Sequence, residues 1–402
     1  MKNVKIQPVL VGGDINCYSV ARAYHEAYGV KSIAFGKIRI GATNHSKIID
    51  YREGTTIEDE EAFLEKLLAL PDQEAEEGKV FIIHGCKDEY AEFIIDHRDI
   101  LSTKYIVPYI GKELKDRLIE KESFYQICEE YDLNYPKTHV FNKGDEVVDF
   151  GFNYPVILKA SDSVTYFQHE FDGMKKAYVV QNAAEFKQIT DEIYSHGYEK
   201  SLIVQDFIPG DDSHMRVLTC YSDQNGKVKM MCLGHVLLEE HTPHGLGNHA
   251  VIITEPNEEL MMKVKNLLED LHYVGFSNFD IKYDRRDGKY RFFEINTRQG
   301  RSNYYVTGSG FNVAKYVVEE YVYGKELPLE FAKEEHLWMT VPKAVAFKYI
   351  KEEANREKMR RLLKEKKMVN PVFKRGDFKP RRYLAMVKNH LRQFGNFKKY
   401  YS

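Results

Sequence analysis

Apolar and polar positions over the first hundred residues cycle between the period of a strand and that of a helix. IQPVLVGG (6–13) predicts a buried strand ending in glycine, CYSVARAYHEAYG a helix stopping at Gly29, and VKSIAFG a second strand. A helix over 58–69, the strand KVFIIHG (79–85), a further helix and a short strand YIVPYI (105–110) complete the next cycle. Strands alternating with helices predict a parallel sheet covered on both faces. Function on such a sheet collects at the carboxyl ends of its strands, here Gly12-Gly13-Asp14 and His84-Gly85.

From Leu114 the pattern changes. LIEKESFYQICEEYDLNYPKTHVF predicts a helix and an Asn-Tyr-Pro turn into a strand, and YPVILKA (154–160) a buried strand carrying one lysine. KAYVV (176–180) extends the small sheet, NAAEFKQITDEIYSHG is an Asn-capped amphipathic helix, and SLIVQDFIPG (201–210) is a strand broken at Pro-Gly. Two hairpins follow, turning at Asn225-Gly226 and Asp287-Gly288, with a helix over 258–271 between them.

Composition narrows the class. With 402 residues, 43% hydrophobic and 30% charged, the chain has material for two or three packed domains and is not a disordered polymer. A net charge of −3 excludes a polycation built for nucleic acid, and no stretch approaches the roughly 20 apolar residues of a membrane-spanning helix. MKNVKIQPVLVGGD reaches glycine and aspartate too early for a secretory signal. The five cysteines stand far apart with no Cys-x-x-Cys pair, which predicts neither a disulfide framework nor a zinc ribbon and fits a reducing cytoplasm. The charge is uneven. Residues 348–402 hold 18 Lys and Arg against 5 Asp and Glu, net +13, so the rest of the chain carries −16. This end therefore either faces something anionic or packs on the acidic body.

Several clusters carry chemistry. GGDINCYSVA lacks the G-x-G-x-x-G spacing and no acid closes the second strand, which argues against a nicotinamide or flavin enzyme. Lys159 inside an apolar strand is costly unless an anion meets it or its stem lies along a sheet edge. On the second hairpin Asp280 lies on one strand while Glu294, Asn296 and Arg298 alternate onto one face of its partner. Two carboxylates and an amide oxygen make an all-oxygen set suited to Mg²⁺. QDFIPGDD ends a strand with free backbone groups and two acids. Asp14 either holds a substrate ammonium or caps the helix behind it, with Asn16 beside it at the same strand end. His241, His244 and His249 lack a fourth zinc ligand at sensible spacing, so their loop reads as a substrate contact or flap, and His214 and Arg216 as phosphate or acceptor contacts.

The order Lys121, PVILKA, QDFIPGDD, FDIKYD and FFEINTRQG resembles the ATP-grasp superfamily of carboxylate–amine ligases across residues 1–325. Within it, GGDINCYSVARAYHEAYG, KASDSVTYF and the basic C-terminus are most similar to D-aspartate ligases of peptidoglycan cross-bridge synthesis. The resemblance implies an α/β (α+β) fold: a parallel N-terminal domain over 1–111, a first ATP-grasp lobe over 112–204 with a lid near 155–200, a second lobe over 205–330 and a basic helical segment over 331–402. It implies that Lys121 and Lys159 contact ATP phosphates, that Gln205, Asp206, Phe207 and Ile208 hold the adenine, and that Asp212 takes the ribose. Asp280, Glu294 and Asn296 then bind two Mg²⁺ ions, Arg298 stabilises the transferred phosphoryl group, and Arg301 and Ser302 lie near the acceptor carboxylate. ASDSVTYFQHEFDG stands where many members carry a glycine-rich loop, so Ser161 and Ser163 are left to cradle phosphate.

The function so implied is activation of an amino-acid carboxylate, D-aspartate favoured, as an acyl phosphate and its transfer to an amine of a cell-wall precursor. The alternatives are a ligase making a dipeptide or small amide, or a nucleotide-binding regulator without turnover. A bicarbonate-using carboxylase ranks below these, since no biotinyl-carrier segment is visible. In the basic end, Leu384, Val387, Leu391 and Phe394 fall at helical spacing among Arg382, Lys388 and Arg392. Packing of that stripe on the body is the first expectation. Contact with an anionic membrane surface or with an anionic acceptor is the alternative.

Overall fold

The structure is a computed structural model and describes residues 4–37, 41–53, 57–146, 149–243 and 245–401, without the side chains of Ser163 and Val164. The chain folds into two compact units: Met1–Asp132, Asp211–Ile281 and Glu294–Ser402 form the first, Leu133–Gly210 and Lys282–Phe293 the second.

The first unit opens with a four-stranded parallel sheet of β1 (Lys5–Val11), β2 (Ser32–Gly36), β3 (Ile49–Glu53) and β4 (Lys79–Gly85), in the order β3-β2-β1-β4. Strand β1 is buried on both faces from Pro8 onward, which is why it reads as a continuous apolar run. Asp14 starts the helix Ile15–Tyr28 by accepting from the N–H groups of Asn16 and Cys17, and Gly29 ends it at φ 70°. Two sequence expectations change here. Residues 105–110 form no strand; Ile106 makes only a bridge to Ile82, and Pro108 has no N–H to extend it. Strand β3 was not expected, because Asp50 and Arg52 interrupt the apolar residues of an edge strand whose Ile49 and Tyr51 alone are buried.

In the second unit, β5 (Thr138–Phe141), β6 (Val156–Ala160), β7 (Tyr178–Val180) and β8 (Leu202–Asp206) form an antiparallel sheet in the order β5-β8-β6-β7. Its core gathers Val156, Leu158, Val180, Phe186 and Val204, and the helix Ala183–Ser195 is capped by Asn182 as expected.

An eight-stranded sheet carries both hairpins. β9 (Met215–Ser222), β10 (Val228–Glu239), β11 (His249–Thr254), β12 (Gly275–Asp284), β13 (Lys289–Asn296), β15 (Leu337–Met339) and β16 (Met368–Val369) run in the order β13-β12-β9-β10-β11-β15-β16, and β14 (Glu330–Phe331) pairs with β10.

The basic C-terminal segment docks differently from the first expectation. In the helix Pro380–Tyr400 the buried residues are Arg382, Met386 and Phe397, whereas Leu384 is 68% and Leu391 56% exposed. The anchor is polar. Buried Asp377 accepts from Tyr18 Oη (2.8 Å), Ser46 Oγ (2.8 Å) and Lys47 N (2.6 Å), and the Arg382 guanidinium lies 4.5 Å from the Tyr18 ring centroid. Burial alone would raise the Asp377 pKa, but these donors and the Arg382 charge outweigh it and hold the carboxyl below its ordinary value. Its stabilising contribution is therefore present above the ordinary aspartate pKa and lost as pH falls through the folded-state value. Asp377→Ala, which strands Arg382 among buried groups, is expected to cost about 3–5 kcal/mol in urea unfolding. A change below 1 kcal/mol (roughly the value of an exposed pair) would disprove the anchor.

Candidate active site

Within the second unit, neighbouring strands bring Lys159 and Gln205 together. Lys159 Nζ donates to Gln205 Oε1 at 3.2 Å, and buried Gln205 donates onward to Thr138 Oγ1 at 3.0 Å. The strand lysine thus has a fixed polar partner, which explains its presence in β6. Asp206 is spent otherwise: Arg286 on the hairpin tip grips its carboxylate with two bonds of 3.0 and 2.6 Å and also holds Asp284. Only the backbone of Asp206, with Phe207 and buried Ile208, therefore remains for a base edge. Lys282 Nζ lies 5.8 Å from the Phe207 ring centroid. Ser161 Oγ meets Ser201 Oγ at 3.0 Å; the Ser163 side chain lies outside the described residues.

The first unit contains the acidic set. Asn296 on β13 donates to Asp280 Oδ2 on β12 at 3.2 Å, and Lys121 Nζ lies 3.6 Å from Glu294. Burial, and then the Glu294 charge, push the Asp280 carboxyl well above the ordinary carboxylate range. A buried carboxylate beside a second carboxylate and an amide is relieved when a hard cation takes up its charge, so the donor set fits Mg²⁺. Among the described residues no group of three or more His, Cys, Asp or Glu side chains gathers at metal-binding distance.

Arg298 links this set to a cavity. It is nearly buried, donates to Asp88 (2.8 Å) and the Gln299 carbonyl (3.1 Å), and reaches Asn296 Oδ1 at 3.4 Å. Burial disfavours its charge, but Asp88, Asp280 and Asp14 more than compensate and raise its pKa. A cavity of about 510 Å³ is lined by Asp14, Asn16, Asp88, Glu240, Arg298 and Arg301, among others. A second, about 260 Å³, shares Asp14, Glu240 and Arg301 and continues along Asn389, Arg392 and Gln393 of the C-terminal helix. Arg301 Nη2 lies 3.6 Å from Glu240. Burial, opposed by Arg301, raises the Asp14 pKa, and the same balance raises that of Glu240.

The other expected site residues also have partners within the protein. Asp14 is a helix cap as well as a cavity wall. Asn16 is 1% exposed and its amide is used internally, donating to the Gln299 carbonyl and accepting from Asn303. Asp212 accepts from Glu239 N (2.9 Å) and His241 Nε2 (3.0 Å), and this bond raises the His241 pKa. Arg216 lines neither cavity; it donates to the Ser213 and Met215 carbonyls and stands 3.8 Å from Glu255, which also meets His235 and Lys358. His249 bonds Ser302 Oγ at 3.2 Å, so these two hold each other, and His244 lies outside the described residues. His214 is buried beside Asp211. Sequence reasoning missed Asp88, Glu240 and Arg286. The one available signal was the acidic turn DEYAEF directly after the His84-Gly85 strand end.

No family model matches the chain. A curated D-aspartate ligase from Enterococcus faecium (strain Aus0004) is 40% identical over 412 residues, covering 100% of this chain and 98% of its own. Among solved structures, an L-amino acid ligase from Bacillus licheniformis superposes with a TM-score of 0.55 at 15% identity, over 79% of this chain and 74% of that one. The biotin carboxylase domain of the Hydrogenobacter thermophilus 2-oxoglutarate carboxylase, crystallised with MgADP and bicarbonate, gives 0.57 at 17% identity, over 81% and 71%. The expected fold is therefore present, and the chain belongs to the D-aspartate ligase family, carbon–nitrogen ligases built on the ATP-grasp fold.

Proposed function

We propose that the protein uses ATP and Mg²⁺ to activate a carboxylate of D-aspartate and joins it to an amine of a peptidoglycan precursor in the cytoplasm. The observation that carries this reading is Arg298, held against Asp88 and Asn296 on the wall of a cavity that also bears Arg301 and Asp14. That wall offers cations for carboxylates and a carboxylate for an ammonium group, the complement of an acidic amino acid. The chain's 40% identity to the Enterococcus faecium D-aspartate ligase supports the same substrate.

A carboxylate reacts poorly with amines because its leaving group is oxide. In the proposed first step a carboxylate oxygen of the amino acid attacks the γ-phosphorus of ATP, giving an acyl phosphate and ADP. Asp280, Glu294 and Asn296 would hold Mg²⁺, two ions if the family resemblance extends to their number, and bound metal supplies neutralisation of phosphate charge. Lys121 and Lys159 bind phosphate oxygens, Gln205 with the backbone of residues 206–208 binds the adenine, and Asp212, steadied by His241, binds the ribose. Arg298 then stabilises charge on the transferred phosphoryl group and on the tetrahedral oxyanion as the amine attacks the acyl carbon. Phosphate leaves, and the nitrogen gives up its proton. Ser161 cradles phosphate, and the segment 155–200, acting as a lid, keeps water from the acyl phosphate. The acceptor amine enters through the smaller cavity, between Asp14 and Glu240, with Arg392 at its outer end meeting the precursor's negative charge.

The test is ADP release and hydroxamate formation with hydroxylamine, across D- and L-amino acids, with and without a peptidoglycan precursor. Hydroxamate is expected with D-aspartate, and precursor is expected to replace hydroxylamine as the nucleophile. ADP release with bicarbonate alone, or a preference for a second free amino acid as acceptor, would overturn the proposal.

A further inference from the structure

The C-terminal helix carries a surface that the reaction does not use. Val387 lies between Leu384, Leu391 and Phe394 at spacings of three and four, so the four share one stripe of the helix Pro380–Tyr400. Leu384 is 68%, Leu391 56% and Phe394 45% exposed, and Phe378 and Tyr383 at the start of the helix are 54% and 48% exposed. Large apolar side chains are scattered singly on most surfaces, whereas here five fall within seventeen residues. Next to the stripe lie Arg381, Lys388 and Lys399, all exposed, at spacings that keep them together on the adjoining strip. Opposite it, Arg382, Met386 and Phe397 fasten the helix to the body.

The charges are as unusual as the apolar groups. Elsewhere in the chain lysines and arginines pair widely with carboxylates, for instance Lys104 with Asp72 and Lys358 with Glu255. Among the described residues, Lys379, Arg381, Lys388 and Lys398 have no carboxylate within 4.0 Å. From 374 to 401 the chain has one acidic residue, Asp377, and that one is buried. The face is therefore apolar along one strip, cationic along the next, and free of exposed anions. No helix here is long and apolar enough to cross a membrane among the described residues.

We propose that this face docks the protein in-plane on an anionic lipid bilayer, with Leu384, Leu391, Phe394 and Phe378 in the headgroup–acyl boundary and the cations among lipid phosphates. An apolar strip alone fits a protein partner equally well, and cations alone fit any polyanion. Both together, on a helix whose opposite face is already anchored, match the two-part chemistry of a charged membrane surface.

Co-sedimentation of the full chain with vesicles tests this. The protein is expected to pellet with vesicles containing phosphatidylglycerol and to stay in solution with pure phosphatidylcholine, with binding falling as salt rises. Arg381→Glu with Lys388→Glu is expected to weaken the partition constant at least roughly thirtyfold, since each surface cation contributes about fivefold. Leu384→Glu with Leu391→Glu is expected to abolish pelleting while leaving ADP release in solution unchanged, and because both side chains are exposed the fold is retained. Equal pelleting with and without anionic lipid overturns the proposal. So does unaltered binding of the leucine pair, which leaves only a generic polyanion site, and so does a wild-type dimer in gel filtration that the leucine pair converts to monomer.

Discussion

Glu294→Gln is expected to lower turnover at saturating ATP by roughly a thousandfold with the fold intact, the scale on which one ligand that meets developing charge is felt. Glu294 is half exposed and its named partner is Lys121 at 3.6 Å, so the substitution removes little packing, and urea unfolding should change by less than about 1 kcal/mol. Its charge is also a cause of the raised Asp280 pKa. The neutral amide removes that repulsion and one anionic metal donor together, so the Mg²⁺ concentration for half-maximal rate should rise along with the fall in kcat. A variant with near-normal kcat and unchanged Mg²⁺ dependence would remove the metal assignment. Lys159→Ala tests the nucleotide independently, since its Nζ is fixed by Gln205 within the other unit.

Arg298→Ala has the second largest expected effect, a loss of roughly a hundred- to a thousandfold in kcat. The guanidinium is nearly buried and donates to Asp88, to the Gln299 carbonyl and towards Asn296 at once. Lysine supplies the charge but not the planar fork, so Arg298→Lys should recover only part of the rate. Removing the charge also leaves Asp280 beside Glu294 without its opposing cation, and destabilisation should accompany the loss. Comparing the two variants separates these effects: equal stability with unequal kcat assigns the fork to catalysis, whereas kcat tracking stability would make Arg298 a structural residue.

Local chemistry was readable where a short stretch decides its own conformation. The hairpin turns Asn225-Gly226 and Asp287-Gly288, the Asn182 cap and the strand KVFIIHG all follow from residues within a few positions of one another. The proximity of Asp280 to Asn296 was readable for the same reason, since alternation along β13 puts Glu294 and Asn296 on one face and the hairpin brings Asp280 beside Asn296. Partnerships across the chain were not. Asp88 and Arg298 are 210 positions apart, and Asp206 looks available until Arg286, 80 positions on, is found gripping it. Arg216 follows the same rule: its position after QDFIPGDD suggested a ligand, but Glu255 and two carbonyls surround it. The exposed stripe at the C-terminus was visible as a period, and a period cannot say which side of a helix meets the body.

Deletion is the usual way to ask what a terminal extension does, and the Asp377 anchor makes that approach misleading for this chain. Cutting before Lys374 takes away a carboxyl to which Tyr18, Ser46 and Lys47 all donate, orphaning three polar groups in the amino-terminal third of the molecule. A shortened protein would then fail by unfolding, whatever the lost residues do for substrate or surface. Point changes on the outward side of the last helix are the informative reagents, because they spare the keystone on its inner side.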